Sequence, residues 1–187
     1  MKDRSKTDPG HRNESMMSQP TVQRTGKYWQ LTMSQWLNKP REELFAFFGN
    51  AANLEKITPS MIGFKVITPS PIVMKPGTLI DYKLKVRGVP IRWRTLIETW
   101  QPCERFTDEQ IKGPYKRWHH THSFTDENGG TRCNDLVEYA PPGGPLAPLI
   151  NKLVVQKDVE KIFAYRAKKL EEMFGGETSA SISAREG

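Results

Sequence analysis

From Phe64 to Tyr139 apolar side chains recur at every second position in short runs divided by turn residues, the period of half-buried strands. Ile80, Tyr82, Leu84 and Val86 share one face of such a run after Gly77-Thr78. Gly88-Val89-Pro90 predicts a turn into Ile91, Trp93, Thr95 and Ile97. Pro102 breaks the pattern before Phe106 to Ile111, where Phe106 and Ile111 vote for opposite faces. That conflict predicts a bulge and leaves open whether Glu109 or Gln110 points inward. Gly113-Pro114 turns the chain into Arg117 to Thr125, and Asn128-Gly129-Gly130 is a hairpin signal leading to Thr131 through Tyr139. Short turns between consecutive strands imply an antiparallel sheet.

Upstream, Tyr28 to Leu37 alternates as a first strand. Pro40 at the first helical position, Glu42 and Glu43 in the first turn, and Leu44, Phe45, Phe47 and Phe48 predict a short helix that Gly49-Asn50 stops. Ala51 to Ile57 predicts a second, ended by Thr58-Pro59. Downstream of Pro141-Pro142-Gly143-Gly144, Leu146 to Phe174 carries an apolar stripe through Leu149, Leu153, Val159, Ile162, Phe163, Leu170 and Met173. A helix of that length runs about 40 Å, enough to cross a sheet. The order predicts an α+β domain, a curved antiparallel sheet wrapped around a long C-terminal helix.

The strand Arg117 to Thr125 carries the candidate chemistry. Trp118, His120, His122 and Phe124 share the face that turns inward, where a sheet built only to pack would carry aliphatic residues. His120 and His122 stand about 6.5 to 7 Å apart along the strand. Four readings stay open: hydrogen-bonded core or cavity imidazoles, hydrogen bonding to a ligand oxygen, general acid–base work, and metal binding. Asp135 shares a face with Cys133, Val137 and Tyr139. A lone acid there needs a partner, so it forms a structural salt bridge or bonds one of the imidazoles. As a metal set, His120 and His122 lack a well-placed third ligand, since Glu127 falls in a turn and Asp135 depends on strand pairing; no metal is expected. Tyr82, Trp93 and Thr95 lie on inner faces, Arg92 and Arg94 on outer ones.

Composition narrows the function classes. The net charge is +7, yet residues 1–27 hold six bases against three acids, so about +3 of it sits there with no Arg/Lys stripe elsewhere. No nucleic-acid partner is expected. Residues 1–27 and 175–187 have little aliphatic content and are expected to be disordered, leaving 28–174 as the folded unit. Cys103 and Cys133 alone suit a reduced interior, and the N-terminus lacks an apolar leader, so a cytoplasmic location is expected. No run approaches a membrane span, and no stable insertion is expected.

Several short motifs resemble the START-like, or SRPBCC, helix-grip superfamily, which includes polyketide cyclases, coenzyme-Q-binding proteins and plant pollen allergens. They are Pro40-x-x-x-Leu44-Phe45-x-x-Phe48, Asn53-Leu54-x-x-Ile57-Thr58-Pro59, Gly77-x-x-Ile80-Asp81-Tyr82 and Gly88-x-Pro90-x-x-Trp93. Phe106-x-Asp108-x-Gln110-x-x-Gly113-Pro114, Trp118-x-His120-x-His122-x-Phe124 and Asp135-x-Val137-x-Tyr139-x-Pro141 follow. The resemblance extends to small bacterial SRPBCC proteins, a type also found fused to epimerase-like domains. The resemblance implies a cavity between sheet and helix for an apolar small molecule, and by itself no reaction. Tyr82, Trp93, Thr95, Trp118, His120, His122, Phe124, Asp135 and Tyr139 are the expected ligand-facing residues, with no cofactor. The leading expectation is a non-catalytic carrier or sensor of a lipid, quinone or polyketide-like molecule. The alternative is a cyclase or dehydratase with His120 or His122 as general acid/base, supported by Asp135. A protein partner is left open.

Overall fold

The computed structural model describes residues 19–175. Eight strands, β1 (Thr21–Thr25), β2 (Tyr28–Leu37), β3 (Lys65–Val66), β4 (Leu79–Val86), β5 (Val89–Gln101), β6 (Arg105–Lys112), β7 (Arg117–Glu127) and β8 (Gly130–Ala140), form one sheet. Their spatial order is β1-β2-β8-β7-β6-β5-β4-β3, antiparallel throughout. Only the β2–β8 neighbours are distant in sequence, so most of the sheet follows from consecutive hairpins. α1 (Arg41–Phe48) and two 3-10 turns, Ala51–Glu55 and Ser60–Ile62, bridge β2 and β3. The expected α+β helix-grip architecture is the one observed.

Local chemistry explains the turns and their small offsets from expectation. Arg87-Gly88 and Asn128-Gly129 both take positive φ at two successive residues, the twist a two-residue hairpin needs. The first turn therefore precedes Val89, which pairs with Val86 inside β5 rather than lying in the turn. Gly130 begins β8 because a Cβ there would strike the Leu37 carbonyl and the Trp36 ring. Pro40 lies just before α1, and its carbonyl accepts the first helical N–H groups from Glu43 and Leu44.

β1 corrects the expected disordered segment 1–27. Thr21 to Thr25 pairs residue for residue with β2, although only Val22 packs on the core. Main-chain hydrogen bonds templated by β2 hold this edge strand, and composition carries no sign of them. Residues 1–18 and 176–187, the remainder of the two expected tails, lie outside the described residues.

The C-terminal helix runs through α2 (Ala147–Ile150), a π turn (Asn151–Val155) and α3 (Gln156–Phe174) without leaving helical backbone geometry. Val159, Phe163 and Ala167 pack on Leu31, Met33, Val137 and Tyr139 of β2 and β8. Buried Gln35 donates from Nε2 to the Ala167 carbonyl at 2.9 Å, fixing the height of the helix above β2. Nearer the helix end, Leu170 joins Leu37, Leu44, Phe45, Phe48, Phe106 and Phe124 in a second cluster. No helix among the described residues is long and apolar enough to cross a membrane.

Candidate functional site

Strand register assembles the site. Across β6, β7 and β8 the inward rows read Phe106–His122–Asp135 and Asp108–His120–Val137. Each carboxylate thus sits opposite one imidazole and diagonal to the other, both within side-chain reach. His120 Nε2 lies 2.8 Å from Asp135 Oδ1, and His122 Nδ1 lies 2.9 Å from the same oxygen. Because both rings lean towards Asp135, their centroids are only 3.8 Å apart. On the other side, Asp108 Oδ2 stands 3.7 Å from His120 Nδ1 and 3.6 Å from His122 Nε2. Those distances exceed a hydrogen bond and make Asp108 a charge neighbour.

Aromatic side chains pin the pair. Phe106 stacks on His122 at 4.4 Å, Phe48 from α1 meets it edge-on at 5.7 Å, and Phe163 from α3 meets His120 edge-on at 5.5 Å. His120, His122 and Asp135 are each 5% exposed, so their charges are settled by one another rather than by water.

Burial opposes charge on every member. For Asp135 the hydrogen bonds from both imidazoles outweigh burial and hold the carboxyl well below the usual range. Asp108 is also lowered: burial opposes it, but attraction from His122, His120 and Arg166 outweighs that cost. Burial and the charge of His122 push His120 down. Burial resists charge on His122 too, yet Asp108 and Asp135 prevail and raise it. An ionised Asp135 accepts from both rings, which assigns N–H to His120 Nε2 and His122 Nδ1.

The imidazoles form part of the wall of a cavity of about 500 Å³. β4 to β7 contribute Ile80, Tyr82, Thr95, Ile97 and Trp118, and the helix faces them with Val155, Asp158, Ile162 and Arg166. Burial pushes the Tyr82 phenol up, keeping it a neutral hydrogen-bond donor. Trp93 donates its indole N–H to Thr95 Oγ1 at 3.0 Å, leaving an apolar ring face for the hollow. At the rim, exposed Arg87 makes two hydrogen bonds to Asp158, at 2.9 and 3.0 Å, joining the β4–β5 hairpin to α3.

Of the nine expected ligand-facing residues, Tyr82, Trp93, Thr95, Trp118, His120 and His122 line this cavity together. Three do not. Phe124 packs against Phe45 and Phe48 at 5.5 and 5.2 Å, and Tyr139 is fully buried among Trp29, Tyr115 and Trp118. Asp135 lies behind the imidazoles and acts through them. Cys133 is buried, and desolvation pushes its thiol up, as an inert core residue requires. Arg94, expected to be solvated, is half-exposed and grips Asp81 through two hydrogen bonds of 2.7 Å.

Asp108 is the residue that sequence reading missed. The expected bulge exists: Arg94 pairs Lys112 while Thr95 pairs Gln110, so Ile111 is the extra residue and is half-exposed. Discounting Ile111 leaves Phe106, Asp108 and Gln110 on the inward face, with Gln110 bound to the Tyr115 backbone and Glu109 outward beside Arg117.

Both the sequence and the fold have known relatives. The sequence model of the polyketide cyclase / dehydrase and lipid transport family matches residues 37–164. No curated protein matches the chain. Among solved structures, protein Ms6760 from Mycobacterium smegmatis is 17% identical with a TM-score of 0.62, covering 84% of this chain and 96% of its own. TTHA0849 from Thermus thermophilus is 20% identical with a TM-score of 0.56, over 77% and 98% of the two chains. The nucleoside-diphosphate sugar epimerase from Corynebacterium glutamicum is 24% identical with a TM-score of 0.53, and the match covers 76% of this chain but 28% of that one. At these identities the likeness concerns the fold.

Proposed function

The chain belongs to the polyketide cyclase / dehydrase and lipid transport family, and from that premise we propose that it is a non-catalytic carrier or sensor of an apolar, partly oxygenated molecule. Family and fold together imply a hydrophobic ligand; the finer reading, a lipid, quinone or polyketide-like compound, rests on the site. The observation that supports it best is the hollow itself. About 500 Å³ is bounded mainly by aliphatic and aromatic side chains, with a few polar groups contributed by the sheet and the helix. Burying each CH₂ of a ligand there contributes about 0.8 kcal/mol. Tyr82, Arg166 and the His120–His122 pair would orient an oxygen-bearing end.

A second reading, a cyclase or dehydratase, is favoured by one observation: an imidazole pair faces the hollow with its orientation fixed by Asp135. Solvent extraction and mass spectrometry of freshly purified protein test the carrier reading. A reproducible apolar species near one equivalent supports it, and a chain that purifies empty and takes up no fatty acid or quinone refutes it.

A further inference from the structure

The imidazole tautomers determine what faces the space between Asp108 and the two rings. With N–H directed at Asp135 from His120 Nε2 and His122 Nδ1, the lone pairs of neutral rings lie on His120 Nδ1 and His122 Nε2. Both nitrogens face Asp108 Oδ2, at 3.7 and 3.6 Å. With both rings neutral, three electron-rich atoms converge there, too far apart to bond one another directly. Such an arrangement repels itself unless something positive stands at its centre. A proton on one ring satisfies one of the gaps. A metal ion satisfies both.

The dimensions suit an ion. The donor atoms of Asp108, His120 and His122 lie within 4.8 Å of one another. For a triangle with sides of 3.6 and 3.7 Å and a third side no longer than 4.8 Å, the equidistant point is at most about 2.4 Å from each corner. Zinc–nitrogen and zinc–carboxylate distances are about 2.0–2.2 Å, so the donors need to close by a few tenths of an ångström. Asp135 completes the pattern as an outer carboxylate that fixes ring orientation and tautomer, the usual support of metal-bound histidine. The inward side of the triad belongs to the cavity wall, and Asp108 keeps 20% of its side chain exposed, leaving a coordination position directed at the hollow.

We propose that Asp108, His120 and His122 bind a divalent first-row transition cation, with Asp135 as the positioning residue and an open coordination position facing the cavity. Two imidazoles and one carboxylate select the zinc and iron(II) class over Mg²⁺ or Ca²⁺, which prefer all-oxygen shells. Sequence patterning alone offers only Glu127 or Asp135 as a third ligand; in the structure Asp108 takes that place. The inference is independent of the carrier reading, since a cavity without an apolar guest still presents the three donors.

The test uses the full chain without a histidine tag, stripped by chelator and titrated with ZnCl₂ against a chromophoric competitor. The expected result is saturation at one zinc per chain. Asp108→Asn and His122→Gln weaken binding at least tenfold, and Asp135→Asn weakens it about 10- to 100-fold through lost tautomer control. His119→Gln, on the outer face beside Glu98, leaves it unchanged. Imidazole ¹⁵N NMR of the unmutated protein guards against variants that fail to fold: zinc should shift His120 Nδ1 and His122 Nε2 while the nitrogens facing Asp135 stay protonated. No saturable uptake by the unmutated chain, or zinc shifts confined to His119 or His11, would overturn the proposal. Zinc uptake by a chain that purifies empty and takes up no fatty acid or quinone would sink the carrier reading and leave the metal site standing.

Discussion

Two flanks of one helix meet the same sheet with opposite results. On the first, Val159, Phe163, Ala167 and Leu170 are each about 1% exposed and packed towards β2 and β8, with Val159 and Phe163 also reaching the edge of the hollow. On the second, Val155, Asp158, Ile162 and Arg166 look across about 500 Å³ towards β4 and β5. Residue choice explains the contrast. The packed flank offers a small Ala167 over Gln35, so the helix can descend until Gln35 reaches its carbonyl. The open flank carries a carboxylate and a guanidinium, which cannot be buried against Ile80 and Ile97 without partners. Polar tips and a sheet curving away leave a hollow that no side chain fills.

The imidazole pair stands on the seam between these regions, and it yields the largest expected effect. Asp135→Ala strips two buried rings of their common acceptor and is expected to cost about 3–5 kcal/mol, measured by urea unfolding. A loss below about 1 kcal/mol would mean that the cluster is solvated and the seam is not dry. Next in size, Ala167→Leu should destabilise by about 1–3 kcal/mol through overpacking. Ile162→Trp, one turn away on the open flank, should fold within about 1 kcal/mol of the unmutated chain because its ring enters existing space. Equal penalties for the two would erase the distinction between the flanks. The smallest effect belongs to the rim. Arg87→Ala breaks an exposed ion pair with Asp158, so the melting temperature should hold while an apolar guest leaves faster in stopped-flow measurements. An unchanged off-rate would show that the hairpin does not latch the mouth.

Much of this contrast can be read from the chain before folding. The 10-residue alternation of Tyr28–Leu37 marks a strand to the residue, and Trp118, His120, His122 and Phe124 share a face as period two demands. What failed had a local cause. β1 exists through pairing to β2, and its Thr21, Gln23, Arg24 and Thr25 give no apolar signal. Phe124 and Tyr139 point inward as expected, but facing the core and facing the hollow have the same parity; only tertiary packing separates them. Asp108 was hidden by one bulged residue, Ile111, which shifts the alternation of β6 out of phase. Asp135 on an apolar strand face needs a partner, yet that it serves both rings depends on a diagonal across β7 and β8 that register alone fixes.

The most direct measurement of the central contrast is a titration of purified, delipidated chain with an environment-sensitive apolar dye, repeated on Ile162→Trp. Saturation at one dye per chain, lost when the tryptophan occupies the hollow while Ala167→Leu retains it, is the predicted result. Saturable binding that Ile162→Trp leaves intact, or no saturable binding to the unmutated chain, would contradict it.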